Sequence, residues 1–284
     1  MKKRPPDFLI VGAMKAGTTS LADALRQHPE VFITKKKEVH LFNRGMVSTD
    51  QIEEYLKHFQ SDKKYVGSAP QGYTKTHLPV VNQTPAHLKG AFPKVKLIYL
   101  VRDPIKRMIS HFQEHFCQDQ RGGGRIAFDP KLNPDLWEHS MLTSSYGLQL
   151  NNFLAHFSAE QILVLRLEDF LTKPEKQFNK VCGFLDVTPV QLHLPRSNSS
   201  DKKYFLSPLI SAILQKNSRL NRRLRDLVFR LGLSVRFLRP FLLQPAFKME
   251  PSPQQQKSLI AHFKRDVLSL KHPSLREIIM YDTA

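Results

Sequence analysis

The chain opens on a polar stretch and turns apolar over Phe8-Leu9-Ile10-Val11, a run that Gly12 stops. A short apolar run bounded by turn residues fits a strand buried on both faces, as strands of a helix-covered parallel sheet are. The loop Gly12-Ala13-Met14-Lys15-Ala16-Gly17 follows, and from Thr18 an amphipathic stretch runs to His28-Pro29, where proline ends it. A second apolar run, Val95 to Val101, leads into Arg102-Asp103-Pro104. Aspartate caps a helix and proline suits its first position, so the next helix is expected to begin at once. A third strand is expected over Gln161 to Leu165, after helical text at Tyr146 to His156 and before more at Pro174 to Leu185. Strands alternating with helices predict an α/β fold, a parallel sheet flanked by helices.

Two stretches break this alternation. Residues 121–135 have the Gly, Pro and Asn density of a loop. From Leu209 to Lys248 nine basic residues and one acidic residue interleave with Leu, Val and Phe at helical spacing. No repeat or domain boundary is visible. A single domain is expected over 1–284, with a core at 7–190, a basic helical insertion at about 205–248 and a C-terminal helix at about 251–270.

Composition narrows the partners more than the fold. With 41% hydrophobic and 24% charged residues, the 284-residue chain is that of a globular protein. Its net charge of +18 attracts polyanions without choosing among nucleic acid, anionic lipid and acidic glycan. No DNA-reading or RNA-binding motif is present, so nucleic acid is not expected as a partner. No apolar run is long enough for a spanning helix, since Arg239 and Pro240 interrupt the best candidate, and the first strand is too short for a signal peptide. A cytoplasmic location is the expectation. The basic stretch from Lys216 to Arg239 reads as a solvated helix face, a peripheral contact with an anionic membrane, or a lid over an acidic acceptor. Cys117 and Cys182 form no CxxC pair and the twelve histidines show no HExxH spacing, so neither a disulfide framework nor a metal is expected.

The glycine turn carries the chemistry. Gly12 and Gly17 stand five apart between a strand and a helix, where backbone N–H groups and the helix dipole favour an anion. A nucleoside triphosphatase loop reads GxxxxGK[ST]; here Thr18 follows the second glycine and the lysine, Lys15, lies inside the loop. The plain alternative is a tight turn whose lysine faces water.

Lys15-Ala16-Gly17-Thr18-Thr19-Ser20-Leu21 resembles the 5′-phosphosulfate loop, KxGTTxL, of sulfotransferases, enzymes that use 3′-phosphoadenosine-5′-phosphosulfate (PAPS). A second element, LIYLVRDPIKRMIS, is similar to that family's strand-end arginine and following serine, which grip the 3′-phosphate; here they are Arg102 and Ser110. Further text at 73–75, 145–157 and 162–187 resembles bacterial relatives of the heparan-sulfate type branch. The resemblance covers roughly residues 7–190 and implies a P-loop-containing three-layer fold.

It also implies roles. Lys15 would stabilise charge on the bridging oxygen, while Ala16, Gly17, Thr18, Thr19 and Ser20 bind the 5′-phosphate without a metal. Lys37-Glu38-Val39-His40 resembles the family's E-V-H element, in which the glutamate takes the acceptor proton; the positive charges of Lys35, Lys36 and Lys37 beside Glu38 are expected to lower its pKa. The rival base is His77 in Lys75-Thr76-His77-Leu78-Pro79, similar to the KTHLP element of cytosolic sulfotransferases. His40, Tyr73, Lys75 and Tyr146 are candidate acceptor contacts, as is Trp137, although aromatic residues in helical text also serve as core. Two departures stand out. Gly67-Ser68-Ala69-Pro70 replaces the family's Glu-Lys-Ser/Thr element, and the disulfide-bracketed cofactor loop of the animal enzymes is missing, its place taken by 198–203 with Lys202 and Lys203. The implied function is sulfuryl transfer from PAPS to a hydroxyl, or an amine, of a carbohydrate or small-molecule acceptor, anionic ones included. Two other classes remain open: a P-loop kinase, which needs lysine where Thr18 stands, and a polyanion-binding module resting on the charge alone.

Overall fold

The computed structural model describes residues 3–36, 38–118, 128–191, 204–206, 227–228, 230–231, 241, 243–245 and 249–281. The chain divides into two compact units, one comprising Met1–Met108, Met141–Ser197 and Gln254–Ala284, the other Ile109–Ser140 and Asn198–Pro253.

The first unit is built on five strands: β1 (Phe8–Gly12), β2 (Val31–Ile33), β3 (Tyr65–Ser68), β4 (Lys96–Val101) and β5 (Ile162–Arg166). They pair in the order β2-β3-β1-β4-β5, every pair parallel. Parallel neighbours need crossovers, and helices supply them. These are α1 (Thr18–Leu25), α2 (Thr49–Leu56), α3 (Pro79–Asn82) and α4 (Thr84–Ala91) before β4, then α5 (Pro104–Gln118), α6 (Pro134–Ser144) and α7 (Tyr146–Leu154) before β5. After β5 come α8 (Leu167–Thr172), α9 (Pro174–Leu185) and, at the C-terminal end, α10 (Pro253–Ser269) and α11 (Pro273–Ile279).

The apolar runs are the middle of this sheet. All five residues of β1 are buried, as are Leu97 to Val101 of β4, which is why both read as unbroken hydrophobic text. Phe8 lies against β3 so closely that a Cβ on Gly67 would meet its ring at 2.4 Å. Only glycine leaves that room, and burying a ring such as Phe8 contributes roughly 1.5–3 kcal/mol. The strands β2 and β3, of three and four residues, were not foreseen from the hydrophobic pattern. The C-terminal helix expected at about 251–270 is α10 at Pro253–Ser269.

In the second unit, which contains most of α5 and α6, Trp137 packs on Phe112 and Phe128 with ring centroids 6.0 and 4.8 Å away. The expected acceptor contact at Trp137 is therefore one member of an aromatic cluster. Two short strands, β6 (Tyr204–Leu206) and β7 (Leu243–Pro245), pair antiparallel there. Lys37, Lys202, Lys203 and nearly all of the basic stretch 209–248 lie outside the described residues. No helix among the described residues is long and apolar enough to cross a membrane.

Candidate active site

Because the five strands run parallel, every loop that follows a strand leaves the sheet at one edge. In open α/β sheets ligands bind beyond that carboxyl edge, where the strand order reverses. Here the order reverses around β1, with later strands added first on its β3 side and then on its β4 side.

The loop after β1 holds Lys15 and Gly17 in left-handed conformations, φ 71° and 91°. Its Ala16 N–H donates to the Ala13 carbonyl at 3.1 Å, closing a tight turn, and Gly17 caps α1. The first N–H groups of a helix find no acceptor within it and carry its positive dipole end, so α1 presents them at this turn. Left-handed geometry is costly for lysine and free for glycine, and such strain collects at functional loops. A Cβ on Gly17 would also meet Leu167 Cδ1 at 2.8 Å.

Beneath the turn lies a charge that sequence reasoning passed over. Arg107, on the second turn of α5, is fully buried; its Nε donates to Ser144 Oγ at 2.8 Å and its Nη1 to the Met14 carbonyl at 3.4 Å. Asp103 caps α5 as expected, accepting from the Lys106 N–H at 2.8 Å. Arg102 follows β4, its backbone pinned at both ends by one hydroxyl: Arg102 N–H donates to Tyr146 Oη at 3.3 Å, and Tyr146 Oη donates to the Arg102 carbonyl at 2.8 Å. Tyr146 is therefore a buried prop for the strand end rather than an acceptor-lining residue, and burial pushes its hydroxyl pKa up. Ser110 is buried further along α5, in the second unit.

The loops after β2 and β3 meet the same turn. A Cβ on Gly12 would strike Thr74 Oγ1 at 2.2 Å, so the Gln71–Thr74 turn sits directly on the end of β1. From there a continuous series of hydrogen bonds runs outward. Thr18 Oγ1 donates to Gln71 Oε1 at 3.2 Å, and Gln71 Nε2 donates to Glu38 Oε1. His40 Nε2 donates to Glu38 Oε2 at 2.9 Å, and Asn43 Nδ2 donates to His40 Nδ1 at 3.4 Å. Every donor in the series finds an acceptor when His40 carries its proton on Nε2. Thr18 is buried, whereas Glu38 keeps 30% of its side chain exposed.

Tyr73 is likewise no acceptor contact. It is fully buried, its hydroxyl accepting from the Leu41 and Phe42 N–H groups at 3.2 and 3.4 Å and donating to the Val39 carbonyl at 3.4 Å. It thus holds the strip that carries Glu38 and His40, and burial pushes its pKa up to about 12. Lys75 is half-buried in the same loop.

His77, the other candidate base, occupies different surroundings. Its Nδ1 accepts from Gln149 Nε2 at 3.3 Å, while Gln149 Oε1 accepts from Thr76 N and Oγ1 at 2.8 and 2.7 Å. Burial first, then the charges of Lys75 and Arg107, lower its pKa to about 4. Gln71, Arg107 and Gln149 escaped notice in the sequence because nothing in their spacing reports partners tens of residues away.

A doubly wound parallel sheet, a lysine-bearing glycine turn on its first strand and a carboxylate linked through Gln71 to the helix that follows that turn make up an α/β protein with a candidate anion site. A family described as "Sulfotransferase domain" matches residues 5–220, and the chain belongs to it. The curated relatives include carbohydrate sulfotransferase 15 of Mus musculus, 27% identical over 249 residues, covering 65% of this chain and 44% of the relative. Heparan sulfate glucosamine 3-O-sulfotransferase 5 of Homo sapiens is 27% identical over 194 residues, covering 65% of this chain and 54% of the relative. The chain thus spans about half the length of these relatives. Among solved structures, a sulfotransferase from Alicyclobacillus acidocaldarius superposes with a TM-score of 0.64 at 22% identity, covering 98% of each chain, a likeness of fold.

Proposed function

We propose that the chain transfers a sulfuryl group from PAPS to a hydroxyl of a carbohydrate acceptor. Membership of the sulfotransferase domain family supports the reaction and the donor, and the names of the curated relatives support the acceptor class. The observation that carries the reading is the bonded path from Thr18 on the anion turn, through Gln71, to Glu38. It sets a carboxylate one side chain away from the place where the donor's phosphosulfate would lie.

The residues fit that donor: a tight glycine turn, a helix N-terminus and Lys15 together suit a phosphosulfate. PAPS supplies the sulfuryl group and is left as 3′-phosphoadenosine-5′-phosphate (PAP). The first N–H groups of α1 and the hydroxyls of Thr18, Thr19 and Ser20 hold the 5′-phosphate, and Arg102 takes the 3′-phosphate. Lys15 places its charge where negative charge grows on the leaving oxygen, the kind of stabilisation that dominates group transfer. Glu38 accepts the proton of the acceptor hydroxyl. His77 is disfavoured as the base because burial, and then the charges of Lys75 and Arg107, work against the imidazolium that proton uptake would create.

The test is calorimetric titration with PAP beside ATP and magnesium, followed by radiolabelled transfer from PAPS to desulfated heparan and chondroitin oligosaccharides. PAP should bind, ATP should not match it, and Arg102→Ala should abolish the difference. Lys15→Ala should lower turnover about a hundredfold or more with an unchanged melting temperature. Equal binding of ATP, or full turnover in Lys15→Ala, overturns the reading.

A further inference from the structure

The direction of each hydrogen bond around Gln71 gives this residue more than a filling role. A hydroxyl has one proton to donate, and Thr18 gives its proton to Gln71 Oε1. That bond decides which end of the amide faces outward: Nε2 is turned to Glu38 Oε1, and the reversed amide would set a carbonyl against a carboxylate. His40 holds the other carboxylate oxygen, so the plane of Glu38 is fixed from two sides. The same Thr18 hydroxyl sits on the first turn of α1, where the 5′-phosphate is proposed to bind. A phosphate oxygen and Gln71 Oε1 therefore compete for one proton.

We propose that Gln71 is a positioning residue that couples donor loading to the base, orienting Glu38 and yielding the Thr18 hydroxyl to the donor's phosphate. The coupling rests on the reading of Glu38 and the anion turn given above. By linkage it is reciprocal: whatever strengthens the hold of Gln71 on Thr18 weakens donor binding by the same factor. Glu38 lies 33 residues from Gln71 and Thr18 lies 53 away, so only the fold brings the three together.

Gln71→Met removes both bonds at similar length, and Gln71→Ala removes them without bulk. Both are measured for PAP affinity by calorimetry and for turnover with the oligosaccharide that is sulfated in the assay above, alone and in double-mutant cycles. In each variant kcat should fall about tenfold while PAP binds about threefold more tightly, a split that general loosening of the fold does not produce. The gain in PAP affinity should vanish in the Thr18→Val background, and the loss of kcat should vanish in the Glu38→Gln background. Weaker PAP binding in both variants, or effects that simply add in the cycles, overturns the coupling. Undiminished turnover in Glu38→Gln overturns instead the assignment of the base on which it rests.

Discussion

Tyr73 shows how a fully buried side chain can govern the setting of a candidate base. Its hydroxyl serves two backbone N–H groups and one carbonyl in the strip between Val39 and Phe42. Tyr73→Phe leaves those buried groups without their partner, at a cost of about 1–3 kcal/mol. Because Glu38 stands immediately before this strip, we expect turnover to drop about tenfold while PAP affinity stays within about twofold. Thermal melting and calorimetry on the variant check both halves. At this scale the strand-to-helix setting of Lys15, Gly17 and Arg102 was legible, because each stands in a local text of apolar run, turn residue and cap. Tyr73 was legible only as a name: the resemblance placed it at the acceptor, whereas its burial makes it a brace for the base loop. Gln71 and Arg107 were invisible, since a glutamine or arginine in a loop or helix looks the same whether it faces water or a partner from another strand.

Among the elements, α7 has an unusual source for its N-terminal cap. Asp266, from α10, accepts from the Gly147 N–H at 2.7 Å and the Leu148 N–H at 2.9 Å, so a carboxylate from far along the chain satisfies the first turn of the helix. The approach is so close that a Cβ on Gly147 would fall 2.0 Å from the Asp266 carbonyl oxygen. Gly147→Ala must push α7 and α10 apart, and urea unfolding should show a loss of about 1–3 kcal/mol. Since α7 carries both Tyr146 and Gln149, the variant should also loosen the strand end at Arg102. Among the elements expected from the sequence, β1, β4 and α9 are bounded by glycine, aspartate or proline, and β5 is an unbroken apolar run up to Leu165. Three-residue β2 and four-residue β3 are too short to display a period, and only pairing with β1 and with each other makes them strands.

For the whole molecule, two groups give stability opposite slopes with pH. His77 has a folded pKa of about 4, below its ordinary 6.5, chiefly through burial. Its contribution is present above pH 6.5 and is lost as pH falls through about 4. Asp266 has a folded pKa of about 6, above its ordinary 3.8, because burial outweighs the bonds from Gly147 and Leu148. Its contribution is fully present below pH 3.8 and is lost as pH rises through about 6. Melting temperatures followed from pH 4 to 7 should therefore fall less steeply toward acid in His77→Gln than in the native chain. Asp266→Asn should remove the opposing trend, leaving a steeper acid loss. Identical profiles in all three proteins would contradict the burial of both groups.

The parallel sheet has a consequence for how such a site can be altered. Each strand delivers one part of the proposed site at the same edge: the glycine turn with Lys15 after β1, Glu38 after β2, Gln71 and Tyr73 after β3, and Arg102 after β4. In the proposed reading, donor recognition and acceptor activation are thus carried by separate stretches of chain that meet chiefly at Gln71 and Thr74. Transplanting residues 34–43 and 69–77 as one cassette moves Glu38, His40, Gln71 and Tyr73 together and leaves the turn at Lys15 intact. Transplanting either stretch alone separates the base from its brace. Diversification of such an enzyme toward new acceptors therefore has a natural unit of exchange, a pair of loops inherited jointly.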